Sequence, residues 1–135
     1  NIAHLADSPA YTLSGGERAR VLLARALAVE APVLIVDEPD AALDPRHQIA
    51  IFDVLAAEAG RGRLVIAAFH DLALAERYGN RVIVLAAGRP VADGPPEEAL
   101  RDEIIRDVFG MVAHGNGRFG PRWQLVPETR SVDEA

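Results

Sequence analysis

Asp37 and Glu38 directly follow the apolar run Val33-Leu34-Ile35-Val36. A carboxylate at the C-terminal end of a buried strand lies where open α/β sheets bind their ligands. Such a group can hold Mg²⁺ through its water shell. A second carboxylate beside it can orient or deprotonate an attacking water. A strand that ends in a solvated acidic turn would carry the same pair. His70 closes a second apolar run, Val65-Ile66-Ala67-Ala68-Phe69. An imidazole there can hydrogen-bond a terminal phosphate or the attacking water, and a purely structural histidine is the alternative. In Leu13-Ser14-Gly15-Gly16-Glu17, Ser14 and Glu17 have the spacing of a capping box. The glycines bare backbone N–H groups at a helix start, where the helix dipole favours anions. A plain capped helix reads the same way. Asp44 before Pro45 suits an N-cap with proline in the first helical position. His4, His47 and His114 have no such context and read as surface residues.

The elements that must position these groups are legible from periodicity and punctuation. Ser14 to about Glu30 predicts a helix, with Val21, Leu22, Leu23, Ala26 and Leu27 as its apolar stripe. Val33 to Asp37 and Leu64 to Phe69 predict strands buried on both faces of a parallel sheet. A second helix runs from Pro45 to about Ala59, ended by Gly60 and Gly62, and a third from Asp71 to Tyr78. Arg81 to Leu85 and Pro90 to Ala92 predict strands around a turn at Ala87-Gly88-Arg89. Glu97 to Phe109 predicts one or two short helices, Gly110 to Pro121 a loop, and Trp123 to Val126 a last strand. The β-α-β-α-β order predicts an α/β fold, a parallel sheet with flanking helices.

Composition narrows the function classes. The 135 residues suggest one domain or part of one, and half are apolar, enough for a core. The net charge of −6 argues against a nucleic-acid partner. All 14 basic residues are arginine, so no lysine in the sequence can contact a phosphate. Without cysteine there is no disulfide, thiolate metal site or cysteine nucleophile. No apolar run approaches the roughly 20 residues of a membrane helix, and no signal-peptide pattern opens the chain. The chain begins without methionine, as a fragment would.

In this order the motifs resemble the nucleotide-binding domain of ABC transporters. Leu13 to Glu17 looks like the signature motif, with Arg18 to Ala26 its continuation. Val33 to Glu38 looks like the Walker B strand with its catalytic glutamate, Ala41-Ala42-Leu43-Asp44 like the D-loop, and His70 like the switch histidine. The match covers about residues 10–110. Gly88-Arg89, Gly94 and Pro96 to Leu100 resemble the β-hairpin and helix that come after the switch histidine in transporter ATPases. His70-Asp71-Leu72, with Val108-Phe109-Gly110 to Val126-Pro127, is similar to importer ATPases for iron-siderophore, haem or cobalamin. Glu17 stands where many members have Gln, and Asp40-Ala41 where Thr-Ser is common.

The resemblance implies a partial P-loop NTPase (RecA-like) fold. Residues 1–30 would end the helical subdomain, 31–110 form half of the catalytic core, and 111–135 a tail. No G-x-x-x-x-G-K-[ST] loop occurs in the sequence, so the N-terminal half with Walker A is expected to be absent. It further implies ATP and Mg²⁺ as cofactors, with Asp37 on the metal and Glu38 and His70 as catalytic groups. Ser14, Gly15, Gly16, Glu17 and Asp44 would contact nucleotide across a head-to-tail dimer. The implied partners are a second ATPase subunit, a transmembrane permease and, indirectly, a periplasmic or extracellular binding protein. The implied location is the cytoplasmic membrane face. A non-transport ABC ATPase and a non-catalytic remnant that only dimerises are the alternatives.

Overall fold

Short side chains set where the longer helices begin. The computed structural model describes residues 2–41, 43–113 and 123–125. Ser14 caps α1 (Gly15–Ala28) and Asp44 caps α2 (Pro45–Gly60), which has proline in its first turn. Asp71 caps α3 (Leu72–Tyr78) by accepting from the backbone N–H groups of Ala73 and Leu74. The strands that place the candidate residues are β1 (Val33–Asp37) and β2 (Leu64–Ala68). They pair in parallel, with Val33 opposite Leu64 and Asp37 opposite Ala68.

The chain divides into two compact units, Asn1–His70 and Asp71–Ala135. In the first, α2 buries Ile51, Phe52 and Leu55 and lies against β2. The Phe52 ring meets Phe69 edge-on, with centroids 4.8 Å apart. Phe69 has the same parity as Val65 and Ala67, so α2 covers that side of the pair. The opposite side differs from the expectation of strands buried on both faces. Val33, Ile35, Leu64 and Ile66 are exposed, Ile35 at 71%. The register sets Val33 beside Leu64 and Ile35 beside Ile66, so the four form one apolar face. Their sequence is that of a doubly covered strand, but among the described residues only one side has a helical cover.

The second unit contains β3 (Val82–Ala86) and β4 (Arg89–Gly94), an antiparallel hairpin. Ala87 and Gly88 form its two-residue turn, both at positive φ (49° and 75°), the backbone that matches the twist of the flanking strands. The region from Glu97 to Phe109 resolves into α4 (Pro96–Ala99) and α5 (Asp102–Phe109). Val84, Leu100 and the fully buried Ile105 form the core, flanked by Leu72, Val82, Ile104, Val108 and Met111. Part of the expected loop after Gly110 is strand instead. Met111–Ala113 (β5) pairs antiparallel with Trp123–Leu125 (β6). His114, Val126 and Pro127 lie outside the described residues. The parallel sheet is therefore small. It joins β1 and β2, while β3 takes its neighbour from the hairpin.

The bare apolar face generates a prediction. Exposed, contiguous apolar strands associate with other chains. The chain should self-associate at micromolar concentration in gel filtration. Ile35→Thr with Ile66→Thr, which keeps β-branched strand formers, should shift it toward monomer while preserving its circular dichroism.

Candidate functional site

The first unit contains every residue singled out for chemistry. β1 and β2 end side by side, and their register fixes which groups share that end. Asp37, the last residue of β1, is exposed and sits opposite Ala68. Among the described residues, no hydrogen bond or ion pair engages its carboxylate. The backbone N–H of Glu38 extends the ladder by donating to the Ala68 carbonyl at 2.8 Å. Beyond it the chain turns sharply. Glu38 has φ of 44°, in the left-handed region, and its carbonyl accepts from the Ala41 N–H at 3.0 Å. A non-glycine residue at positive φ stores strain, and such residues cluster at functional sites.

That turn aims Glu38 at His70. Glu38 Oε1 and His70 Nε2 are 2.8 Å apart, joining residues 32 positions distant in sequence. An ionised carboxylate only accepts, so Nε2–H is the donor and the second carboxylate oxygen keeps its acceptor capacity. Both side chains are open to solvent, at 53% and 88% exposure. The structure thus brings Asp37, Glu38 and His70 to one strand end. It leaves Ser14, Gly15, Gly16 and Glu17 as a separate group at the start of α1, with Asp44 at the start of α2.

The start of α1 is a complete capping box. Glu17 Oε2 accepts from the Ser14 N–H at 2.9 Å and from its hydroxyl at 2.7 Å. Ser14 Oγ in turn accepts from the Glu17 N–H at 3.3 Å. The Ser14 hydroxyl bond, then the backbone bond, holds the Glu17 carboxyl below its usual range. Asp44 is held likewise, first by the His47 side chain and then by the His47 N–H. Oδ2 lies 2.6 Å from His47 Nδ1, and Oδ1 accepts from the His47 N–H at 3.1 Å. His47 was expected only as a surface residue. It is partly exposed, and it fixes Asp44. The available signal was its position three residues after an N-cap aspartate, one helical turn away.

Among the described residues, no group of three or more His, Asp or Glu side chains is arranged to hold a metal ion. Mg²⁺ in nucleotide sites is commonly bound by one or two carboxylates, substrate phosphates and water. The exposed, unengaged carboxylate of Asp37 fits that mode.

Comparison with known proteins bears on the family. A family model described as ABC transporter matches residues 1–41. The chain belongs to the ABC transporter ATPase family. It is 44% identical to the hemin import ATP-binding protein of Rhodococcus jostii over 82% of this chain and 38% of that protein. It is 49% identical to the cobalamin import ATP-binding protein of Halobacterium salinarum over 80% of this chain and 27% of that protein. A solved metal-chelate type ABC transporter in an inward-facing conformation superposes with a TM-score of 0.80 at 25% identity, covering 96% of this chain and 53% of that one. The chain therefore spans less than half the length of these two curated relatives. No helix among the described residues is long and apolar enough to cross a membrane.

This geometry makes two predictions. Glu38→Gly should relieve the positive-φ strain, so the thermal midpoint of the chain should hold or rise even though the bond to His70 is lost. A marked fall would contradict the strain. Acid should weaken the starts of α1 and α2 together. Glu17 and Asp44 have folded pKa values below their unfolded ones. Their contribution is complete above the ordinary carboxylate pKa of about 4 and is lost as pH falls through the depressed values. Thermal midpoints measured from about pH 7 to about pH 3 should fall at the acid end, and less steeply with Glu17→Gln and Asp44→Asn together.

Proposed function

We propose that this chain is the catalytic C-terminal part of an ATP-binding import subunit that hydrolyses Mg-ATP to drive a membrane permease. The observation that carries the reading is the Glu38–His70 hydrogen bond at the shared end of two parallel strands, directly after Asp37. An acid for the metal, an acid for water and an imidazole for phosphate there would supply part of what phosphoryl transfer to water needs. Such transfer depends on positioning and charge stabilisation more than on covalent chemistry.

Asp37 would hold Mg²⁺, which would supply charge neutralisation at the phosphates. Glu38 would accept a hydrogen bond from the attacking water and orient it. His70 would hold the Glu38 carboxylate in place and present its ring to the terminal phosphate. Ser14, Gly15 and Gly16 would serve the phosphate of ATP held by a second subunit, with Glu17 shaping that helix start and Asp44 at the same interface. Their separation from the Glu38–His70 pair as a distinct group fits a head-to-tail homodimer. The cargo class is an iron chelate, haem or cobalamin, and the names of the similar import proteins, hemin and cobalamin, support the last two. A binding protein outside the membrane would deliver it, with the ATPase on the cytoplasmic face. This chain has no lysine and no phosphate-loop motif, so alone it should not turn over ATP.

The test is phosphate release from Mg-ATP. The full gene product containing this segment should hydrolyse ATP, and this chain alone should not. Glu38→Gln in the full product should lower turnover by about a hundredfold or more while nucleotide binding persists. Near-parental hydrolysis by that variant would remove Glu38 from the water-orienting role.

A further inference from the structure

We infer that Leu43 is a positioning residue, which seats the start of α1 against the turn leading into α2, and that Gly16 is glycine because a Cβ there would press on this seat and shift it. A Cβ on Gly16 would lie 3.0 Å from Leu43 Cδ2, whereas one on Gly15 would meet nothing within 4 Å. Neither glycine has a positive φ, so backbone conformation does not call for glycine at either position. The two neighbours therefore differ. Gly15 faces open space and Gly16 abuts protein.

Leu43 is held by its own neighbours. Its N–H donates to the Asp40 carbonyl at 3.2 Å. The next residue, Asp44, has both carboxylate oxygens committed to His47 and so to the first turn of α2. α2 is anchored by Ile51, Phe52 and Leu55, and Phe52 rests on Phe69, the residue before His70. At the far end of α1, Arg63 donates to the Leu27 carbonyl at 3.4 Å and pairs with Glu58 of α2 at 3.0 Å. That ion pair is mostly buried, at 12% and 15% exposure. α1 is thus tied to α2 by a polar link at its C-terminal end and to the turn before α2 by the Leu43 contact at its N-terminal end. The contact holds Ser14 and Gly15 in fixed relation to α2, and its effect on catalysis rests on the reading of that helix start as a phosphate contact.

The test is a double-mutant cycle with two readouts. In the full gene product, Gly16→Ala should lower kcat about threefold to tenfold, the scale of a few tenths of an ångström of misplacement. Leu43→Ala should lower kcat with little change in KM for ATP, and Leu43→Met should retain activity. In the Leu43→Ala background, Gly16→Ala should cost little further. An equal cost in both backgrounds would show that Gly16 answers only to ligand and would overturn the inference. The second readout is the Leu43 methyl resonances of the full gene product without nucleotide. Gly16→Ala should shift them, and unmoved resonances would refute the contact. If the full product hydrolyses no ATP, the phosphate reading fails while the methyl readout still decides the packing.

Discussion

The parallel ladder between β1 and β2 is the constraint on which the candidate site depends. Its register puts Asp37 beside Ala68. The Glu38 N–H then bonds the Ala68 carbonyl, so the chain turns at a fixed point. Only with that pairing do Glu38 and His70 come within 2.8 Å. A register slip of one residue would reverse the facing of each strand residue and carry His70 away from Glu38.

Around this ladder, polar contacts act as local punctuation and apolar contacts give support. Glu17 with Ser14 and His47 with Asp44 define where α1 and α2 start. Each bond is exposed, so each contributes modestly to stability in solution. Their effect is geometric, because they set the chain direction beside the chemical groups. The apolar support comes from α2, whose Phe52 meets Phe69 next to His70. The turn at Glu38 runs against this economy. Its positive φ costs conformational energy at the residue proposed to orient water.

The apolar face of Val33, Ile35, Leu64 and Ile66 obeys the same constraint. These residues have the composition of strands covered on both sides, yet they are exposed. The similar import proteins are more than twice as long as the matched stretch. A sheet of this kind places its ligands at strand ends.

The sequence by itself determined most of the elements and singled out the candidate residues for chemistry. Asp37 after four apolar residues, Glu17 three after Ser14 and Asp44 before Pro45 are local patterns, each governed by neighbours within one turn or one strand. The helices and most strands were legible for that reason, as was the family. Tertiary structure decided what depends on distant neighbours. Alternation could not reveal that, among the described residues, β1 has a helical cover on one side only, because cover comes from other elements. Nor could it pair Met111–Ala113 with Trp123–Leu125, where the stretch after Gly110 reads as a loop. The Glu38–His70 bond and the meeting of Gly16 with Leu43 were likewise decided in three dimensions. Both join residues far apart in the chain, and only the fold brings such residues within contact distance.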